Sequence, residues 1–481
     1  MDKRKKSIRL LWGTVLIISL AVFLIGVFLV NSRDFMGMRI VGAGEWERIT
    51  ASKPIIQTNE MDRWIQFNGN QIPYDSESNT LYISQNADES FWEGKFTTVD
   101  KNSRLIIVSQ DSLFQKAEAI KESQLFHIYL EKGDYCLEGN LIFTGLPVLC
   151  VETDCTWLYN PYDSEVHSYS IKKTQSTYRI TDSGKYTLKL WHEDTGESNR
   201  VSYLDLGKNS EWKLLPMARD NSALRSSVAI EFWNQIGGRE EDDYNFKVKA
   251  DYAEVLIDRQ YCGLYLMMWP QEPKEFGLKE GDYLYNCKAS LKNSNIEALI
   301  VQEKIEIEGR HDEITDSDWK PLYIGKPEID NYVDFFLFQQ LVYNAEGLNR
   351  KKLLFAQQIN GGEEYKHYRI PNTFIDTFGL LSTNYPYYTE DLDGEVFSRV
   401  LEDWELEELT FDETLLTDRW QQLKSEGMTV ENAVGFAENK REYLIKSGVF
   451  IRNSAIYNER FSREVIEFIK DRFKMMDELY G

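Results

Sequence analysis

The feature that most constrains this 481-residue chain is an apolar run near its N-terminus. Residues 10–30 contain no charged side chain and are rich in Leu, Ile, Val and Phe. A helix rises about 1.5 Å per residue, so about 20 residues cross a hydrocarbon core of ~30 Å. A signal peptide has a shorter apolar region of ~7–15 residues, followed by a small-residue cleavage site that this run lacks. The run therefore predicts a transmembrane signal anchor rather than a cleaved leader or a buried core helix.

Charge is distributed unevenly on the two sides of that run. The whole chain has 55 Lys and Arg against 78 Asp and Glu, a net charge of −23. Residues 1–9 hold five basic side chains and one acidic one, which leaves 50 against 77, or −27, for the rest. Since basic residues mark the cytoplasmic end of a membrane helix, we expect a cytoplasmic tail at 1–9, a single-pass anchor in the cell membrane at 10–30 and an extracytoplasmic body. The acidity of that body argues against sequence-independent nucleic-acid binding.

Cysteine and histidine provide neither a disulfide framework nor a metal motif. The chain has five Cys, an odd and small number for its length, and no CxxC or Cys/His spacing of the kind that binds zinc. Cys150 and Cys155 could pair across a short turn, but we expect most of the Cys to be buried small hydrophobes.

The first half of the chain after the anchor is predicted to be β-rich. Residues 31–60 are interpreted as a stalk, and 61–145 as a small β-rich module with strands at 80–84 and 104–108. Strict alternation of apolar residues predicts a further strand at 185–190, with one face buried.

Helical patterns dominate the second half. Two apolar runs, 253–257 and 263–267, flank Asp258-Arg259-Gln260 and predict a hairpin. Residues 329–343 are apolar nearly all round, which predicts a buried helix, and residues 458–481 are predicted to form a C-terminal amphipathic helix. The predicted fold class is α+β, with an N-terminal transmembrane helix, the β-rich module and then a domain with a helical C-terminal part.

Several segments between residues 145 and 457 occur in an order that resembles one known family. They read GLPVLCVETD (145–154), STYRITDSGKYTLKL (176–190), WKLLPMARDNSALRSSVAIEF (212–232), EVLIDRQYCGLYLM (254–267), IDNYVDFFLFQQLVYNAEGLN (329–349), RWQQLKSEGMT (419–429) and YLIKSGVFIRN (443–453). In this order they resemble the spore coat protein H (CotH) kinase family. The clearest match is an Asp-x-x-x-x-Arg element, Asp220 to Arg225, that opens a helix. The resemblance covers residues 146–457 and implies an atypical protein-kinase-like domain.

The resemblance implies ATP with Mg or Mn as cofactors, and secreted, coat or envelope proteins as phosphoacceptors or partners. Phosphoryl transfer needs cations on the phosphates, carboxylates on the metal and a group that orients the acceptor hydroxyl. By the family's pattern, the candidate nucleotide-binding cations are Lys288 and Lys185. The candidate catalytic residues are Glu346 and Asn349, and the candidate metal ligand is Asp376.

The chain departs from the family's pattern at its acidic positions. Glu346 replaces the family's Asp in the loop that follows the long helix. In the metal-binding segment, Thr373 and Ile375 occupy both expected Asp positions, and the one carboxylate, Asp376, is displaced by a single residue. If that segment is a strand, a displacement of one residue turns the side chain to the opposite face. The family's Glu after the hairpin is also absent, with Trp269 in its place and Glu272 three residues later.

These departures favour a degenerate kinase that acts as a binding or scaffold component of the cell envelope or spore coat. One alternative is an active ATP-dependent protein kinase. The other is a carbohydrate-associated surface protein, because the chain has 12 Trp, 27 Tyr and 25 Phe.

Overall fold

The computed structural model describes most of the chain after residue 33. The described residues are 34–84, 94–108, 116–151, 158–159, 168–174, 185–192, 195–202, 204, 206–238, 240–241, 244–287, 305–307, 325–344, 352–380 and 413–481. The chain divides into two compact units. The first comprises Met1–Glu152, Tyr159–Glu165 and Leu256–Tyr261, and the second comprises Thr153–Leu158, Val166–Val255 and Cys262–Gly481.

The first unit is built on a mixed sheet of short strands. Its elements are β1 (Asp34–Phe35), β2 (Met38–Val41), α1 (Ala43–Ser52), β3 (Ile55–Gln57), β4 (Ile65–Phe67), β5 (Asn70–Gln71), β6 (Tyr74–Asp75), β7 (Thr80–Ser84), β8 (Phe96–Thr98), β9 (Arg104–Val108), α2 (Lys116–Lys121), β10 (Phe126–Lys132), β11 (Tyr135–Thr144) and β12 (Val148–Val151). The main sheet has the order β1-β2-β9-β10-β11-β7-β6, with β3 also paired to β11. Alternate residues of the central strands, such as Leu81, Ile107 and Leu130, enter one core.

The strands predicted at 80–84 and 104–108 are present as β7 and β9. The predicted stalk differs from the structure. Strand β2 pairs in parallel with β9, with Ile40 opposite Ile107, so residues predicted to be a stalk form part of this sheet. The sequence does not reveal β2 because its run, Met-Arg-Ile-Val, is too short to show a clear pattern. In the structure this short strand nevertheless buries Met38 and Val41 completely.

Among the described residues, the second unit contains two larger sheets, two two-stranded sheets and most of the helices. The remaining elements, most of them in this unit, are β13 (Leu158–Tyr159), β14 (Ser168–Thr174), β15 (Lys185–Trp191), β16 (Val201–Ser202), β17 (Lys208–Asn209), β18 (Glu211–Pro216), α3 (Arg225–Ile236), β19 (Glu240–Glu241), β20 (Tyr244–Asn245), β21 (Ala250–Ile257), β22 (Gln260–Met268), α4 (Pro273–Phe276), β23 (Tyr283–Cys287), β24 (Ile305–Ile307), β25 (Gly325–Pro327), α5 (Ile329–Val342), β26 (Lys352–Gln358), β27 (Tyr365–Pro371), α6 (Glu413–Ser425), α7 (Val430–Lys446), α8 (Val449–Arg452) and α9 (Glu459–Tyr480).

One sheet of the second unit contains the order β21-β22-β18-β15-β14, and the other has the order β24-β23-β26-β27-β25. Helix α5 connects the second sheet to the helices. Its Asn331 exchanges two hydrogen bonds with the backbone of Arg369 in β27, and its Phe338 packs edge-on against Trp233 of α3 at 5.3 Å. Every residue of α5 from Asn331 to Val342 is buried, which confirms the prediction of a buried helix.

The predicted transmembrane helix and the cell-membrane localisation derived from it are corrected by the structure. None of the described helices is both long enough and apolar enough to cross a membrane. The longest of them, α9, has 22 residues, but Arg, Glu, Lys and Asp recur along it, so it is an amphipathic surface helix instead. The predicted anchor at 10–30 and the predicted tail at 1–9 lie outside the described residues. What the structure supports is a mixed α/β architecture with several sheets.

Candidate functional site

The loop that follows β27, residues 372–380, contains the predicted metal-binding segment. Strand β27 ends at Pro371, so Asp376 lies in a loop and the alternation expected for a strand does not apply to it. Thr377 is fully buried and its hydroxyl donates to the carbonyl of Phe374 at 3.1 Å. The Thr373 hydroxyl accepts from the amide of Ile375 at 3.4 Å. Internal hydrogen bonds of this kind give the loop a defined shape.

The more exposed positions of this loop do not carry the carboxylates that a metal site needs. Thr373 and Ile375, at the positions where the resemblance places carboxylates, are partly exposed. Asp376 is the loop's one carboxylate, and only 2% of it is accessible. Across the described part of the chain, no group of three or more His, Cys, Asp or Glu side chains is placed to hold a metal ion. The carboxylate of Asp376 is buried, and its role as a metal ligand stays a prediction.

The end of α5 lies directly against this loop. Tyr343 takes a left-handed conformation (φ 54°) that ends the helix, and Asn344 follows as a fully buried residue. The Asn344 side-chain amide donates to the carbonyl of Thr373 at 3.4 Å, and the amide of Phe378 donates to the carbonyl of Val342 at 2.7 Å. The structure thus brings together two segments that the sequence separates by about thirty residues: the start of the predicted catalytic loop and the predicted metal-binding loop.

Of the five predicted site residues, three are not described by the structure and one is described in its backbone alone. Glu346, Asn349 and Lys288 lie outside the described residues. For Lys185 the structure gives the backbone, as the first residue of β15 opposite Thr174 of β14. Their predicted roles therefore stay predictions, and Asp376 is the one candidate whose side-chain burial is described.

The Asp-x-x-x-x-Arg element forms a buried ion pair behind the loop. The Arg225 guanidinium lies 2.5 Å from the Asp220 carboxylate, and both side chains are almost inaccessible. The same carboxylate accepts from the backbone amide of Arg225 at 2.8 Å and from the Ser222 hydroxyl at 2.5 Å, so it also serves the first turn of α3. Arg225 Nε then donates to the carbonyl of Phe378 at 3.3 Å. This element therefore joins α3 to the 372–380 loop.

A second contact joins the loop to the first sheet of this unit. Strand β22 ends at Met268, and a short segment leads from there to α4. In that segment, the buried side chain of Gln271 donates to the carbonyl of Pro371 at 2.7 Å. The residue after it, Glu272, begins a group of charged side chains.

That group, here called the lysine–glutamate cluster, consists of Lys189, Glu211, Lys213, Glu272 and Lys274. Lys189 of β15 lies opposite Glu211 of β18 in the sheet, and their side chains pair at 2.9 Å. Lys274 of α4 lies 3.7 Å from Glu211 and 3.8 Å from Glu272. Glu211 is buried, whereas the Lys189 and Lys274 side chains are about half exposed.

Burial and the neighbouring carboxylate of Glu211 raise the pKa of Glu272, while Lys274, Lys213 and Lys189 act in the opposite direction. Two half-exposed cations, Lys189 and Lys274, thus lie against the buried Glu211 carboxylate, and Lys274 also lies 3.8 Å from Glu275. This is an arrangement that can present positive charge to an anionic ligand.

This cluster has no motif in the sequence. The family resemblance points to Lys185, at the start of the strand Lys185–Trp191, although Lys189 in the same strand has the buried carboxylate partner. The alternation of side chains along a strand places Lys189 on the same face as Lys185. Its pairing with Glu211, however, depends on the register between two strands, which cannot be read from the sequence.

Comparison of the chain with models of known protein families found no match, and a search of curated proteins found none either. The resemblance to the spore coat protein H family therefore remains a prediction that rests on the quoted segments.

Proposed function

We propose that the second unit is a kinase-like binding module for an anionic ligand of the nucleoside triphosphate type, without metal-dependent phosphoryl transfer. The observation that supports this most directly is the inverted exposure of the 372–380 loop. The accessible positions carry Thr373 and Ile375, and the carboxylate of Asp376 is buried. Mg²⁺ in phosphoryl-transfer sites is bound by one or two accessible carboxylates together with the phosphates.

The lysine–glutamate cluster supplies the positive charge for the ligand. Lys189 and Lys274 share one buried carboxylate, Glu211, and each is about half exposed. Because the Lys189 and Lys274 side chains are about half exposed, a phosphate can contact either ammonium group while that lysine stays paired with the buried Glu211 carboxylate. Glu211 meanwhile fixes the position of the Lys189 ammonium. The cluster is linked to the site loop through Gln271, which would place a bound polyphosphate beside Pro371.

Isothermal titration of the full chain with ATP, ADP and inorganic phosphate tests this proposal, each with Mg²⁺ and with EDTA. We expect ATP to bind with an affinity that EDTA changes by less than about threefold, because the described loop offers no accessible carboxylate to a metal. Lys189→Ala should weaken ATP binding on the order of tenfold, the value of one charge-assisted contact.

The matched control is Lys446→Ala. Lys446 is also an exposed lysine in an ion pair, 2.8 Å from Glu442 on α7, but it belongs to no part of the cluster. Equal effects of the two substitutions would contradict the assignment of Lys189. Phosphate transfer from labelled ATP to a protein acceptor, abolished in Asp376→Asn, would refute the proposal and establish the active-kinase alternative.

A further inference from the structure

The C-terminal helix α9 lies beyond the segments that carry the family resemblance, yet it contacts the last turn of α5 at several points. Arg472 donates from its guanidinium to the carbonyl of Gln340, and its cationic group lies over the ring of Tyr343 at 5.0 Å. Tyr480 donates to the side-chain oxygen of Gln340 at 2.8 Å. Phe468 packs edge-on against Tyr343 at 5.9 Å. Helix α9 therefore contacts the turn from which the Asn344 segment begins.

That turn needs support because of its backbone conformation. Tyr343 has φ 54° and ψ 51°, the left-handed region that helices normally assign to glycine at this position. A bulky residue in this conformation is strained, and it persists only where surrounding contacts compensate. The guanidinium of Arg472 compensates in two ways, because it covers the Tyr343 ring and donates to the Gln340 carbonyl, which also accepts from the backbone amide of Tyr343 at 3.2 Å.

We infer that Arg472 is a positioning residue for the candidate site: it stabilises the left-handed turn at Tyr343, and that turn directs the chain carrying Asn344 against the 372–380 loop. Two hydrogen bonds report on this arrangement. The backbone amide of Asn344 donates to the carbonyl of Gln339 at 3.0 Å, and the backbone amide of Phe378 donates to the carbonyl of Val342 at 2.7 Å. The inference rests on the proposed function for the identity of the ligand. Hydrogen exchange of these two backbone amides tests the role of Arg472 without any ligand.

The chain offers a matched control in Arg419 of α6. Arg419 is also a buried arginine bound to α5, with its Nε 2.6 Å from the Asp334 carboxylate and its Nη2 3.2 Å from the carbonyl of Ile236. It meets α5 nine residues before Tyr343, far from the last turn. Substitutions at Arg419 and Arg472 therefore remove similar chemistry from the same helix at different points.

The experiment compares Arg472→Met, Arg472→Lys and Arg419→Lys with the wild-type chain by hydrogen exchange and ATP titration. We expect Arg472→Met to accelerate exchange of the Asn344 and Phe378 amides at least ~10-fold, because the opening free energy of that turn falls. ATP binding should weaken about fivefold or more, since the loop contacts depend on the turn. Arg472→Lys restores a cation and a donor, and should recover part of both losses.

Arg419→Lys should leave both amides and the ATP affinity within about twofold of wild type, while lowering global stability. Unchanged exchange at Asn344 and Phe378 in Arg472→Met would overturn the inference, as would equal acceleration in Arg419→Lys. A wild-type chain that does not bind ATP would refute the proposed ligand alone, since the exchange comparison still decides the role of Arg472. Faster exchange with full ATP affinity would show that the turn does not position the site.

Discussion

The ion pair between Asp220 and Arg225 provides the sharpest test of how the fold supports the site. Replacing Asp220 with Ala removes the acceptor for the guanidinium and for the backbone amide of Arg225, at 2.5 and 2.8 Å. It leaves the Arg225 charge in a position that is completely inaccessible to solvent. Breaking a buried pair by removing one partner costs about 3–5 kcal/mol, because the remaining charge loses its compensation. We therefore expect Asp220→Ala to destabilise the second unit by that amount.

Urea denaturation followed by tryptophan fluorescence measures this effect, because Trp212, Trp233 and Trp420 are all fully buried in the second unit. With a urea m-value of ~2–3 kcal/mol/M for a unit of this size, the midpoint should fall by about 1–2 M. Glu254→Ala is the matched control, since Glu254 forms a similarly buried pair with Arg452 at 2.6 Å.

Both substitutions should lower the urea midpoint by a similar amount. The two arginines differ in one respect, because Arg225 also donates to the carbonyl of Phe378 in the 372–380 loop, whereas Arg452 Nε donates to Glu254. Asp220→Ala should therefore also accelerate hydrogen exchange in the 372–380 loop under native conditions, and Glu254→Ala should not. A loss of unfolding free energy below ~1 kcal/mol for Asp220→Ala would refute the assignment of this pair as a structural element of the site.

Two further predictions concern titration and backbone conformation. The pKa of Glu272 is raised in the folded chain, so its carboxyl stays protonated to a higher pH there than in the unfolded chain. The free energy of unfolding should therefore fall as the pH rises from 4.5 through the folded pKa. Glu272→Gln should remove this pH dependence from a series of urea midpoints. Phosphate binding should tighten as pH falls through the same range, and in Glu272→Gln that component should vanish. In the first unit, Arg259 holds φ 62° in a turn where glycine would be unstrained, and its guanidinium pairs with buried Asp62 at 2.8 Å. Arg259→Gly should nevertheless destabilise that unit by about 1–3 kcal/mol at pH 7 in the same denaturation series. Burial raises the pKa of Asp62, so this loss should become smaller as the pH falls and the carboxyl takes up a proton. Net stabilisation would show that the backbone strain outweighs the ion pair.

Local periodicity was enough to predict the elements whose pattern is long or strict. Helix α5 is predicted within one residue because fourteen consecutive positions read as buried helix, and the hairpin of β21 and β22 is predicted because two apolar runs flank a polar turn. The site required information that periodicity does not contain. The pairing of Lys189 with Glu211 depends on register between strands that are separated by about twenty residues in the chain.

The surroundings of Asp376 were not predictable for a different reason. The expected strand geometry would place its side chain opposite the carboxylate positions of the family's pattern, but β27 ends at Pro371, and the loop that contains the buried Asp376 is held by contacts with residues distant in sequence. Those contacts include the bond from Phe378 to Val342 and that from Arg225 to Phe378. A loop fixed by tertiary contacts has no local signature that a single sequence reveals.

The bonds that hold this loop should also tolerate carboxylates at positions 373 and 375, where the family resemblance expects them. The Phe378 amide and carbonyl and the Thr373 carbonyl anchor it through the main chain, and the side chain of Ile375 is not needed for these bonds. Asp at 373 can accept from the amide of Ile375 as the Thr373 hydroxyl does, and both positions are partly exposed, so new charges there remain hydrated. The double variant Thr373→Asp/Ile375→Asp should therefore stay within ~1 kcal/mol of wild-type stability and acquire Mn²⁺ binding, measured by electron paramagnetic resonance titration with ATP present. The matched control Thr373→Asn/Ile375→Asn keeps the hydrogen-bonding shape without charge and should bind no additional Mn²⁺. If the Asp variant folds with unchanged exchange at Phe378 and still binds no Mn²⁺, the loop does not face the ligand, and the reasoning that places the site beside it is wrong.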